Sequence, residues 1–226
     1  MKCYVGTSGW MYSWNREGTL DWYIRESLLN AIELNASFYR FPFPNQVKGW
    51  SAKSNSLTWV IKVNRLITHT HMLNERAIEL FSRFLELFKP LDPHIALYLL
   101  QMPPKFTTNM EQRFVGFAKR FNEKKLAVEF RHESWYSFDF SRLDFGGVVV
   151  TPDSPEISRA VWKKNNIVYI RFHGRRFWYA YKYGIRELKD MAERAKALSP
   201  SKIFAFFNNN HDMLANARDF KKLLEC

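Results

Sequence analysis

The chain has 226 residues, 46% of them hydrophobic, 17% aromatic and 25% charged, which is enough apolar material for a substantial core and excludes a disordered chain. Lysine and arginine number 34 against 22 aspartates and glutamates, a formal net charge of +12; this favours acidic partners such as nucleic acid or a phosphorylated metabolite over neutral ones, the alternative being a solvated basic surface. The start lacks the apolar stretch of a signal peptide, and runs such as IALYLL at 95–100 are too short to span a bilayer. The two cysteines, Cys3 and Cys226, suggest neither a disulfide framework nor metal-ligand spacing. A cytoplasmic chain with no membrane partner is expected.

Short β-branched or aromatic runs alternate with helical stretches along the whole chain. CYVGT from Cys3 is the first strand, followed by a short helical segment at 21–29 and the strand AIELNAS from Ala31. A second short segment at 45–53 leads to TWVIKVN from Thr58. The clearest helix spans 74–89, where Ile78, Phe81, Leu85 and Phe88 form one apolar stripe. IALYLLQ from Ile95, a helix at 109–121, LAVEFR from Leu126 and a third short segment at 137–143 come next. GVVVT from Gly147, a helix at 156–164, IVYIRFH from Ile167, a helix at 185–198, KIFAFFN from Lys202 and a helix at 212–224 complete the series. Eight β-then-α units without a linker predict one α/β domain over 1–226, a single (β/α)8 TIM barrel; an open doubly wound sheet is the alternative.

Alternation inside the strands separates an apolar face from a polar one. Ile32 and Leu34 oppose Glu33, Asn35 and Ser37; Trp59, Ile61 and Val63 oppose Lys62 and Asn64. Leu126, Val128 and Phe130 oppose Glu129 and Arg131, and Val168, Ile170 and Phe172 oppose Tyr169, Arg171 and His173; Asn208 follows by the same parity. The interior set thus sets Glu33 and Glu129 against Lys62, Arg131 and Arg171, leaving one positive charge that a phosphate or carboxylate would balance. A self-satisfied ion-pair network that fixes register is the competing explanation. In the first case Lys62, Arg131 and Arg171 clamp an anionic small-molecule substrate, Glu33 or Glu129 acts as base, and His173 or His132 acts as acid. Asn35, Asn208 and Asn209 orient the substrate.

A second constellation follows His173: Arg175, Arg176, Lys182 and Arg186 interleave with Phe177, Trp178, Tyr179, Tyr181 and Tyr183. Cations attract phosphate and exposed rings stack on bases, so nucleic acid is the alternative partner; rings packed as a lid on the rim are the structural alternative. Thr68–His71 contains an HxH step, but no cluster completes a coordination sphere, so no metal is expected and His69 is assigned to a loop or a ligand. Without a P-loop or GxGxxG fingerprint, no nucleotide cofactor is expected.

Seven motifs in order resemble the domain-of-unknown-function-72, or YecE-like, family: GTSGWMYSWN at 6–15, IELNASFYRFP at 32–42, the stretch 62–69, QMPPKF at 101–106, VEFRHESW at 128–135, RFHGR at 171–175 and FNNN at 207–210. The resemblance spans nearly the whole chain. It implies a TIM barrel related to the xylose-isomerase and endonuclease IV type, and no agreed reaction. The family's motif residues fall on Trp10, Glu33, Asn35, Tyr39, Lys62, His69, Gln101, Glu129, Arg131, His132, Trp135, Arg171, His173, Asn208 and Asn209. Distant kinship with metal-dependent endonucleases implies nucleic acid, yet their His/Asp/Glu cluster is not reproduced here.

Overall fold

The computed structural model describes residues 1–54, 56–157 and 160–225. Strands β1 (Lys2–Thr7), β2 (Ala31–Leu34), β3 (Thr58–Lys62), β4 (Ile95–Gln101), β5 (Leu126–Glu129), β6 (Val148–Asp153), β8 (Ile167–Phe172) and β9 (Lys202–Phe207) fall on the eight predicted runs. A two-residue strand, β7 (Lys163–Lys164), runs antiparallel to β8. Helices α1 (Leu20–Glu26), α2 (Ala36–Tyr39), α3 (Pro44–Lys53), α4 (Glu75–Phe88), α5 (Glu111–Ala118), α6 (Ile185–Ala197) and α7 (Met213–Leu224) lie between or after them. The sheet order is β6-β5-β4-β3-β2-β1-β9-β8-β7, and β6 also pairs in parallel with β8. The fold is therefore a (β/α)8 barrel rather than an open doubly wound sheet.

Several boundaries differ from expectation. Among the described residues the helix expected over 156–164 is absent: Glu156 and Ile157 lie in a bend and Lys163–Lys164 is a strand, while 158 and 159 lie outside the described residues. The segment 137–143 forms turns rather than a helix. Strand β2 stops at Leu34 because Asn35 turns into α2. There the Ser37 hydroxyl shares its one proton between the Leu34 and Lys62 carbonyls, at 2.9 and 2.7 Å. Cys3 is disulfide-bonded, which corrects the expectation for the cysteines; Cys226 lies outside the described residues. Among the described residues no helix is long and apolar enough to cross a membrane.

The chain divides into two compact units. The first comprises Met1–Glu33, Ser56–Thr58 and Val150–Cys226, the second Leu34–Asn55 and Trp59–Val149. In the first, Phe172 and Phe207 stack at 4.2 Å between centroids, and both meet Phe220 of α7. Strand alternation then turns Tyr169 and Arg171 away from α7, onto the face where Tyr169 meets Phe204 and Phe206. Close strand approach on this face depends on Gly6, where a Cβ would sit 2.2 Å from the Ala31 carbonyl oxygen.

The second unit follows the same rule. Trp59 packs on Trp50 of α3, and its indole N–H donates to Ser54 Oγ at 2.8 Å. Tyr98 packs edge-on against Phe81, Phe84 and Phe88 of α4, and Phe130 packs against Phe114 of α5. Their alternates, Lys62, Gln101 and Glu129, therefore point away from those helices.

Candidate functional site

The first unit holds a closed polar cluster around Glu33. Its Oε1 accepts from Ser8 Oγ and Arg171 Nη2, both at 2.6 Å, and its Oε2 accepts from Tyr169 OH at 2.7 Å and Arg171 Nε at 2.9 Å. A carboxylate offers about four acceptor sites, so these bonds saturate it. Glu33, Tyr169 and Arg171 are all 0% exposed. The Arg171 fork thus lies bidentate on a protein carboxylate, the geometry that makes a buried charge pair tolerable. Ser8 and Tyr169 were not predicted to act here; for Tyr169 the signal was present, since it shares the strand parity of Arg171.

A second network in the same unit holds the segment after β8. Gly174, at φ +108, turns the chain, and its N–H donates to Tyr183 OH at 2.9 Å. Arg175 Nε donates to both oxygens of fully buried Asp153, at 3.2 and 3.0 Å, and its Nη1 reaches Glu187 at 3.3 Å. Tyr181 OH also donates to Glu187, at 2.7 Å, and the Trp178 indole donates to Glu156 at 2.8 Å. His173, buried, lies between Trp178 and Tyr179, with ring centroids at 5.3 and 5.6 Å. Asn209 is buried and donates to the Tyr181 carbonyl and to Asn216 of α7. Arg175 is therefore turned inward to protein carboxylates instead of reaching out to phosphate, and Asn209 fastens a loop; both differ from the expected substrate contacts. Asp153 was missed because the predicted strand ended at Thr151, before Pro152, a residue strands disfavour.

The second unit contains a cation-rich cluster. Lys62, at the end of β3, lies with Nζ 4.1 Å from the centroid of Phe38 in α2. His69, in a π-helical turn Leu66–Thr70, meets the same ring edge-on at 5.0 Å, with Nδ1 2.9 Å from Thr68 Oγ1. Burial first, then Lys62, Arg131, Lys105 and Arg65, push the His69 imidazole down to about 4, so it is neutral at pH 7. Arg131 pairs with fully buried Glu129 on the same strand end. His132 caps a short 3-10 turn, Glu133–Trp135, its Nδ1 accepting from Ser134 N–H at 3.1 Å.

The remaining predicted residues divide by exposure. Tyr39 is 71% exposed, against Phe38, while Gln101 and Asn208 are half-buried at strand ends. Asn35 is half-buried at the start of α2 and does not cap it through its side chain. Trp10 is buried, and its carbonyl accepts from Asn15. Trp135 is fully buried, stacks on Phe130 at 3.7 Å and donates to the Phe106 carbonyl at 2.8 Å. Its surface and its donor are both used by the fold, so the expectation that it touches substrate is corrected to a core role. Phe38, Arg65 and Lys105 were not predicted. Phe38 stands within a quoted motif, but no periodicity marks it as the platform for Lys62. Among the described residues, no group of three or more His, Cys, Asp or Glu is placed to hold a metal ion.

These features define a (β/α)8-barrel protein with charged side chains at the strand ends, where barrels of this class carry their chemistry. A family model described as "Protein of unknown function DUF72" matches residues 4–226, and the chain belongs to that family. The UPF0759 protein YecE of Escherichia coli K12 is 28% identical over 139 residues, 59% of this chain and 50% of the relative; the chain spans about half the length of the curated relatives it matches. Crystal structures of DUF72 family proteins are similar along their whole length. One from Thermotoga maritima MSB8 has a TM-score of 0.80 at 26% identity, covering 100% of both chains. One from Enterococcus faecalis V583 has a TM-score of 0.83 at 22% identity, covering 99% of this chain and 96% of the other.

Proposed function

We propose that this DUF72 protein is an enzyme acting on a small anionic substrate, bearing phosphate or carboxylate, at the loops around His69. The observation that carries this reading is that the charges acting on His69 are four cations: Lys62 at the end of β3, and Arg65, Lys105 and Arg131 in the segments after β3, β4 and β5. A neutral imidazole amid cations marks positive potential that an anion relieves. Glu33 is withdrawn from the role of base, because all its acceptor sites are filled, and Arg171 with it from the role of clamp. Glu129 takes the role of base: a substrate anion that draws Arg131 away releases the carboxylate paired with it. His132, half-buried with Nδ1 held by Ser134, has Nε2 left for proton donation.

Crystals soaked in inorganic phosphate test the site, and turnover of a panel of phosphorylated and carboxylated metabolites tests the chemistry. Density within hydrogen-bond distance of Lys62 and Arg131 is expected, together with a turnover loss of about 10²-fold or more in Glu129→Gln, the scale of general acid–base catalysis. An anion bound only elsewhere sinks the assignment.

A second reading, nucleic-acid binding without an assigned reaction, is favoured by one observation: Phe177 and Tyr179 are 69% and 44% exposed, with Arg176 exposed beside them. Binding would then weaken by about 0.7 to 0.9 log units per log unit of salt for each phosphate neutralised.

A further inference from the structure

We propose, resting on the reading that the loops around His69 hold an anion, that the anion enters together with one proton, which His69 takes from solvent. The geometry supplies the acceptor. His69 Nδ1 lies 2.9 Å from Thr68 Oγ1, a hydroxyl that either accepts from it or donates to it. Once the ring is protonated both nitrogens are donors, Nδ1–H to the Thr68 hydroxyl and Nε2–H to an anion oxygen, and no other bond is made or broken. Phe38 holds Lys62 and His69 against one ring, 4.1 and 5.0 Å from its centroid, so ammonium and imidazole are kept together by packing rather than by charge.

The groups around the imidazole explain why the proton waits for the anion. Lys62 comes from the end of β3, Arg65 precedes the turn that carries His69, Lys105 follows β4 and Arg131 follows β5; all four oppose a further positive charge. His71 caps the end of the same turn, Tyr39 adjoins Phe38, and Glu129 is committed to Arg131. His69 therefore holds its proton only below a pH of about 4. An arriving anion cancels part of that field and raises the value toward the ordinary imidazole range. The sign follows from linkage: the bound state holds the proton at higher pH than the free state, so affinity rises as pH falls through the bound-state value and levels off near the free-state one.

Sulfate is the suitable probe, because it does not titrate in this range. Its binding is measured by calorimetry at pH values from about 8 to about 5, in buffers of different ionisation heat, for the whole chain and for His69→Asn. The wild-type chain is expected to bind about tenfold tighter per pH unit below the bound-state value, with net proton uptake, while His69→Asn binds with a flat profile. Histidine NMR on the unsubstituted chain gives the same answer without a variant: the His69 titration moves up when sulfate is added. Sulfate binding that is equally steep in both proteins, or flat in wild type with an unmoved His69 titration, overturns the proton coupling and leaves the anion site standing. No sulfate binding at any pH overturns the anion site itself.

Discussion

Glu33 in the first unit and His69 in the second are both titratable groups near strand ends, one beside a single cation and one influenced by four, and their surroundings differ in kind. Glu33 is fully buried, with Arg171, Tyr169 and Ser8 filling its acceptor sites. His69 is half-buried, and the charges that lower its value are four cations, of which Arg131 is already paired with Glu129. The same strand alternation produced both, so a charged residue on the inner parity of a barrel strand has two possible meanings. One is a completed ion pair that ties distant strands together. The other is a potential that a ligand completes. Counting charges along strands merges the two, because it treats Arg171 as available when Glu33 already occupies its fork.

The sharpest way to break this contrast is to remove Arg171. Arg171→Ala leaves a fully buried carboxylate without its guanidinium, and about 3–5 kcal/mol of unfolding free energy should be lost, measured by urea denaturation. A variant as stable as wild type would mean that Glu33 and Arg171 do not satisfy each other. Next in size, Lys62→Met should weaken sulfate binding about tenfold or more, as expected from losing a charge-assisted hydrogen bond, with the urea midpoint nearly unchanged. A large loss of stability there would make Lys62 a second Arg171, and the two regions would be alike. Tyr169→Phe removes one donor to Glu33 and should cost about 1–3 kcal/mol, the penalty of an acceptor left buried and unmet; thermal unfolding at neutral pH reads it.

A smaller effect separates the regions by pH. Burial and neighbouring cations lower the folded-state value of His69 to about 4, against an unfolded value near the ordinary 6.5. Between those values the unfolded chain binds the proton and the folded one does not, so stability is lost as pH falls from about 7 to about 4. His69→Asn removes this contribution, and the stability difference between the two proteins should drift with pH across that window only. A constant difference would show that His69 does not sense its cations. The smallest expected change concerns the second functional reading. Arg176→Ala should reduce the salt slope of any nucleic-acid binding by about one phosphate's worth, whereas Arg175→Ala should lower the melting temperature because Asp153 and Glu187 lose their partner.

Much of this was legible in the chain. Period-two alternation marked the strands, and the Asn74 start and apolar stripe of α4 marked its helix, because those signals are local and repeated. Element ends were less legible. Leu34 ends β2 and Pro152 lies inside β6, each decided by tertiary partners: Ser37 bonding the Lys62 carbonyl in one case, pairing with β8 in the other. The exposed or buried fate of similar residues was also hidden. Trp135 and Arg175 look like ligand contacts in a motif, but Phe106, Phe130, Asp153 and Glu187 had claimed them.

By itself the sequence determined the (β/α)8 class and the strand parity that Glu33, Lys62, Glu129 and Arg171 share, since both follow from local periodicity and the fixed alternation of the backbone. Only the tertiary structure decided which charges meet. Glu33 and Arg171 are 138 residues apart, and their pairing depends on a sheet order in which β1 and β9 lie between β2 and β8. The low value of His69 likewise depends on the end of β3 and on loops after β3, β4 and β5. Electrostatic energy depends on distance in space and on burial, and neither is a property of position along the chain.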